Sequence, residues 1–339
     1  MLKNYIQKVA ENIDLTCDEA KQAMDIIMLG KASEVQIAAF MSIMRMKGET
    51  VDEITGFALK MREHATKIDA PYDKPLIDTC GTGGDKSNTF NISTISAFVA
   101  CGAGVYVAKH GNRAVSGKCG SADLLKELGV NIDIPVSKVK DCLFDVGIAF
   151  LFAPAFHPAM KYAVGPRKEL GIRTFFNILG PITNPAFVER QVVGLFSSKL
   201  IEKIATVLKN MGTKKAMVFH SKDGLDEISL SDDTDVCELQ ECGTIKKYVL
   251  NPEDFGFEKV LKQEFVGGDA VVNAKIALEI LKGNKSPKLD VVILNSGAAI
   301  YTSGIAKSLK EGVEKAKKSI SSGAALSKLE KLIEFTKRN

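Results

Sequence analysis

The sequence predicts an α/β protein, with a small N-terminal all-helical domain and a larger domain whose mainly parallel sheet is flanked by helices. Helix-start signals recur through the first seventy residues, and short apolar runs alternate with helical segments after them. Two glycine- and hydroxyl-rich tracts each sit between an apolar run and a helix.

The helical unit is read from its boundaries. Thr16 with Glu19, Ser33 with Gln36 and Thr50 with Glu53 each have the spacing at which paired side chains satisfy a helix's orphan N–H groups reciprocally. Gly30 and Gly48 stand where the helices should end. Ile37, Phe40, Met41 and Met44, then Ile54, Phe57, Ala58 and Met61, recur at helical spacing. Such Met-rich stripes suit a core and a subunit interface equally.

After Asp69-Ala70-Pro71 the pattern changes. Leu76-Ile77, Val105 to Val107, Ile148 to Leu151, Val192 to Leu195, Ala216 to Phe219 and Val291 to Leu294 read as strands, continuous in apolar character as a sheet covered on both faces requires. Between about Pro158 and Pro185 a helical, proline-bounded stretch interrupts them, and the lysine-rich tail from Lys307 reads as solvated faces of terminal helices.

Composition narrows the function. The 339 residues carry 45 basic and 41 acidic side chains, a formal charge of +4, which argues against nucleic-acid or membrane partners. Seven scattered cysteines suggest reduced thiols; Cys237 and Cys242 are the closest pair, but none of the four histidines is near to complete a zinc site. The chain begins without a signal-peptide pattern, and no apolar run reaches the roughly twenty residues of a membrane span, so a cytoplasmic protein is expected.

The first tract, Asp78-Thr79-Cys80-Gly81-Thr82-Gly83-Gly84-Asp85 running on to Asn91-Ile92-Ser93-Thr94, joins a strand to a helix. Its glycines let the backbone approach an anion, and the helix start supplies unpaired N–H groups, so it suits a phosphate. The second tract, Lys109-His110-Gly111-Asn112-Arg113-Ala114-Val115-Ser116-Gly117-Lys118-Cys119-Gly120-Ser121, follows the next strand. Two successive βα loops of one parallel sheet open on the same edge, and both tracts should face one crevice. Neither tract fits a kinase-type P-loop or a dinucleotide fingerprint.

Together the tracts resemble the anthranilate phosphoribosyltransferases, whose pattern reads GTGGD…NIST and then KHGNRAVS. The resemblance continues through His157-Pro158-Ala159-Met160, Arg167 to Pro181 and Gly224-Leu225-Asp226-Glu227, covering nearly the whole chain. It implies transfer of a phosphoribosyl group from phosphoribosyl pyrophosphate to anthranilate, with Mg2+ as cofactor and a homodimer formed through the helical domain. It also implies that 158–185 returns to the helical domain, giving 1–70 plus that excursion as one unit and 71–157 with 186–339 as the α/β domain.

The resemblance carries site residues with it. The donor is expected at Gly81, Gly84, Asp85, Thr89, Asn91, Ile92, Ser93, Thr94, Lys109, His110, Gly111, Asn112, Arg113, Ala114, Val115, Ser116, Gly117 and Ser121. Anthranilate is expected at Gly81, Asn112 and Arg167, whose guanidinium can hold a carboxylate bidentately. Asp226 and Glu227, with Ser93 Oγ, are the expected magnesium ligands, whereas Asp232-Asp233 reads as surface. His110 and His157 are as compatible with packing as with base catalysis, and Arg173 has no motif role. Gly117 and Cys119 depart from the serines frequent in the family, placing a thiol beside the donor site.

Pyrimidine nucleoside phosphorylases resemble this pattern more distantly, lacking the KHGNRAVS run. A non-catalytic, nucleic-acid-binding relative should lose the NIST or Asp-Glu elements, which are intact here. A transferase using another aromatic acceptor fits the donor tracts as well.

Overall fold

The computed structural model describes residues 1–68, 75–114 and 117–338. The boundary expected at residues 70 and 71, like Val115 and Ser116 of the second tract, lies outside the described residues.

Four helices open the chain: α1 (Leu2–Ala10), α2 (Cys17–Met28), α3 (Glu34–Lys47) and α4 (Val51–Glu63). All three expected capping boxes form, at Thr16, Ser33 and Thr50. Gly48 ends α3 at φ +84°, and Gly30 follows α2 at φ +68°. Both Met-bearing stripes are buried within the chain itself. They are core, so a subunit interface would need other residues.

Next come β1 (Leu76–Asp78), α5 (Ile92–Gly102), β2 (Tyr106–Gly111), α6 (Ser121–Glu127), α7 (Val136–Asp145), β3 (Ile148–Phe152) and the short α8 (Ala153–Phe156). The interruption then supplies α9 (Lys161–Leu170) and α10 (Phe176–Ile182). Phe175, at the start of α10, packs against Phe57 with ring centroids 4.6 Å apart and edge-on to Phe40 at 6.0 Å, so this stretch shares a core with α3 and α4.

The chain re-enters the sheet as β4 (Arg190–Gly194), α11 (Ile201–Asn210) and β5 (Lys215–Ser221), followed by β6 (Thr234–Leu239) and β7 (Ile245–Leu250). Helices α12 (Ala270–Leu281), α13 (Pro287–Ser303), α14 (Leu309–Ser321) and α15 (Ala324–Arg338) complete it. Strand order is β3-β2-β1-β4-β5-β6-β7, parallel from β3 to β5 and antiparallel at β5-β6 and β6-β7. Connections run outward in opposite directions from β1 and β4, and open α/β sheets bind ligands at such a switch point.

The strand expected at Val291 to Leu294 is instead the middle of α13, all four residues being buried. A helix buried on every side has the same continuous apolar signature as a doubly covered strand. Ser286 caps α13 and Pro287 occupies its first turn, which start a helix and not a strand. The tail's helices are amphipathic, Val313, Ala316, Ile320, Leu329 and Leu332 facing the core.

Candidate active site

The crevice is built at the switch point from the β1–α5 loop. Thr82 N–H donates to the Gly194 carbonyl at 2.9 Å, fastening the glycine loop to the end of β4. Gly83 and Gly84 take positive φ, +61° and +72°, as the turn demands. On its far side the loop is held by residues 265–267: Phe90 N–H donates to the Phe265 carbonyl and Gly267 N–H to that of Asn88, with Thr89 bridged to Val266.

Asp226 and Glu227, on the β5–β6 loop, reach this cradle directly. Asp226 Oδ2 accepts from Gly83 N–H at 2.6 Å, and Glu227 Oε1 accepts from Ser93 N–H at 3.1 Å. Asn91 makes no side-chain cap to α5, so Glu227 serves as a long-range cap on its exposed amides. A Cβ on Gly194 would lie 1.6 Å from the Asp226 carbonyl oxygen, so only glycine lets that loop approach β4.

Burial first, then neighbouring carboxylates, push both acids above the usual carboxylate range: Asp85 acts on Asp226, and Asp226 on Glu227. Both keep partial contact with the cleft, which moderates that push without removing it. Asp85 Oδ2 is buried and without a hydrogen-bond partner. Carboxylate oxygens seated on the anion cradle, with one oxygen of neighbouring Asp85 left without a partner, are the hard donors that suit a small divalent cation such as Mg2+.

The second tract faces the first. Lys109, buried on β2, donates from Nζ to the Thr79 carbonyl at 3.2 Å, placing its charge beneath the glycine loop. Asn91 Nδ2 donates to the Cys119 carbonyl at 3.1 Å, while Asn91 Oδ1 accepts from Asn273 of α12 and lies 3.5 Å from the Cys119 thiol. The Asn91 side chain thus joins the two tracts and α12. Asp123 Oδ2 accepts from Ala114 and Gly120 N–H, and the Asn112 carbonyl accepts from Ser121 Oγ. Gly111 touches Ser121, and Thr94 is buried behind Lys109. Asn112, Arg113 and Gly117 are exposed at the rim.

Asp78, Cys80 and His110 bring ligand-type atoms within 4.8 Å of one another. Asp78 accepts from Asn184 Nδ2 at 2.7 Å and from His110 N–H at 3.1 Å; burial pushes it up to about 6 and the Cys80 thiol to about 12. These bonds satisfy the Asp78 carboxylate, while His110 Nε2 keeps no partner.

Arg167 of α9, half-buried, lies 5.2 Å over the Phe176 ring. Burial lowers its pKa, and among the described residues no carboxylate stands within ion-pair distance. His110 Nδ1 faces the Gly180 carbonyl at 3.0 Å, and its ring centroid is 5.2 Å from that of His157. Burial drives the two imidazoles down to about 3 and about 4, so both are neutral near pH 7. Both Nε2 atoms are buried without partners.

Sequence reasoning missed several contributors. Arg173 Nη1 donates to the Gly84 carbonyl at 3.3 Å and stacks 4.4 Å over Phe196, tying the helical stretch to the glycine loop. Asn273, Asp123 and Gly194 were also unmarked, although a glycine closing an apolar run already signals close backbone approach. Asp233 pairs with Lys222 and Lys259, in keeping with a surface role. Cys242 is exposed, away from buried Cys237.

Relatives agree with this geometry. Residues 3–65 match the glycosyl transferase family helical bundle domain, and residues 73–326 match that family's a/b domain. An anthranilate phosphoribosyltransferase of Acetivibrio thermocellus is 52% identical over 336 residues, covering 99% of this chain and 97% of the relative. The chain belongs to the anthranilate phosphoribosyltransferases. The crystal structure of the Thermus thermophilus member is 39% identical and superposes with a TM-score of 0.93, covering 98% of this chain and 99% of that one. The Saccharomyces cerevisiae member, solved in complex with phosphoribosyl pyrophosphate and Mg, is 29% identical with a TM-score of 0.92, over 100% of this chain and 98% of its own.

Proposed function

We propose that the protein transfers the 5-phosphoribosyl group of phosphoribosyl pyrophosphate to the amine of anthranilate, releasing pyrophosphate, as a step of tryptophan biosynthesis. The observation that carries this reading is the direct contact of Asp226 and Glu227 with the amides of the glycine loop and of α5. Anion cradle and cation ligands thereby occupy one place.

The bond from C1′ to the pyrophosphate oxygen breaks as the bond from C1′ to nitrogen forms, and the new ammonium then gives its proton to solvent or to the departing pyrophosphate. Positive charge develops on the ribosyl centre, so the protein's task is to hold both partners and to favour the leaving group. Loop amides, the α5 N-terminus and Lys109 attract the phosphates, while Asp226, Glu227 and Ser93 Oγ are the residues to hold Mg2+. When bound, that ion neutralises the leaving group's charge. Asp85, Thr89, Ile92, Thr94, Ala114 and Ser121 are further proposed donor positions, on the same two tracts.

Arg167 is a charged, enclosed donor without an anion and fits the anthranilate carboxylate; Asn112 and Gly81 lie on the donor side of the same crevice. His110 and His157, being neutral, can accept hydrogen bonds from the amine without taking its proton. We further propose a helical unit of 1–70 with 158–185, set on an α/β unit of 71–157 and 186–339. A homodimer through that helical unit, where Val35 and Met46 are exposed, and a cytoplasmic location complete the reading. Among the described residues no helix is long and apolar enough to cross a membrane.

Turnover with anthranilate, side by side with substituted benzoates lacking the amine and with aniline, which lacks the carboxylate, tests the reaction. Product with anthranilate and none with the others is expected; equal turnover of aniline would overturn the acceptor assignment.

A further inference from the structure

The acidic pair sits in a loop that other side chains hold from both ends. On one side, Asp223 Oδ1 accepts from Leu225 N–H at 3.0 Å, while its Oδ2 accepts from Ser229 Oγ at 2.6 Å and from Ser231 Oγ. On the other, Asn295 reaches from the interior of α13: its Oδ1 accepts from Ile228 N–H at 3.0 Å, and its Nδ2 donates to the Ile228 carbonyl at 2.8 Å. That two-point pairing treats the Ile228 peptide as a neighbouring strand would. Asn295 is 4% exposed, and asparagine is a poor helix former, so its place in mid-helix is explained by this clamp rather than by propensity.

Adjacent carboxylates that repel each other would otherwise separate when the loop is free to move. We infer that Asp223 and Asn295 are positioning residues that fix the backbone on either side of Asp226 and Glu227, setting the geometry in which the pair meets the cation. The inference rests on the proposed metal role of Asp226 and Glu227.

The test measures Mn2+ binding by electron paramagnetic resonance, on the full chain with phosphoribosyl pyrophosphate and no acceptor, alongside melting temperature and the KM for anthranilate. Asp223→Ala and Asn295→Leu should each weaken Mn2+ about tenfold or more, the usual effect of losing groups that orient metal ligands, and leave the KM for anthranilate unchanged. Should Asn295→Leu not fold, Ser229→Ala removes one bond to Asp223 at less cost and should weaken Mn2+ in the same direction. A lower melting temperature with wild-type Mn2+ affinity would reduce both residues to structural supports and overturn the inference. The variant Asp226→Ala/Glu227→Gln separates the two levels. If it binds Mn2+ as the wild type does, the metal role itself fails; if it loses Mn2+ while the Asp223 and Asn295 variants keep it, only the positioning role fails.

Discussion

On the donor side of the crevice most polar groups have found one another, Asp85 Oδ2 excepted: the Gly83 and Ser93 amides are taken by Asp226 and Glu227, and the Lys109 ammonium by the Thr79 carbonyl. Around the expected acceptor side fewer have. Half-buried Arg167 of α9 has no carboxylate within ion-pair distance, and the Nε2 atoms of His110, on β2, and His157, just after α8, have no partner. The donor half is therefore organised before any ligand arrives, with carboxylates standing on amides that phosphate oxygens can also use. The acceptor half keeps desolvated groups unsatisfied, and a site built this way discriminates strongly against molecules that cannot pair with them.

The largest effect should come from breaking the organised half. Asp226→Ala/Glu227→Gln should lower kcat at saturating donor by on the order of 100-fold or more, because a group that neutralises the leaving charge acts mainly in the transition state. Turnover measured against magnesium concentration checks this. A near-normal kcat with unchanged metal dependence would make the pair bystanders.

The next effect belongs to the unsatisfied half. Arg167→Ala should raise the KM for anthranilate roughly 10- to 100-fold, the worth of one charge-assisted pair, with little change in the KM for the donor. It should cost the free protein little stability, since no partner is left unpaired. Equal rises in both KM values would remove Arg167 from the acceptor side.

The last effect is on stability against pH and leaves turnover near pH 7 aside. The folded pKa of His157, about 4, lies below its ordinary 6.5, so the unfolded chain binds the proton first and stability falls as pH drops from about 6.5 towards 4. Burial of Asp78 acts in the opposite sense over about pH 4 to 6, which makes comparison with a variant necessary. His157→Gln should flatten the acid loss by up to about 3 kcal/mol, since a tenfold change in proton affinity is worth about 1.4 kcal/mol. Denaturant melts at pH 6.5 and 4.5 supply the numbers, and parallel slopes for the two proteins would mean that His157 is not held neutral.

How much of this was legible in the sequence follows the same division. Both tracts, the capping boxes and the acidic pair are short local patterns, and they lie where their spacing implied. The partners that orient them come from far along the chain. Asn295 was hidden because Val291 to Leu294 reads equally as a buried strand or a buried helix, and Asn273 because a single asparagine carries no local signal. The antiparallel β6 and β7 escaped because polar residues break the apolar run that marked the parallel strands: Thr234, Asp235 and Glu238 in the largely buried β6, and the exposed Lys246 and Lys247 in β7. Unsatisfied groups such as the histidine Nε2 atoms are properties of packing, which no periodicity reports.

The account stands most directly on where a divalent ion binds. Anomalous diffraction from crystals soaked with Mn2+ and phosphoribosyl pyrophosphate should place the ion between the pyrophosphate oxygens and the carboxylates of Asp226 and Glu227, with Arg167 still free of any anion. An ion bound elsewhere, with Asp226 and Glu227 still on the Gly83 and Ser93 amides, would contradict it.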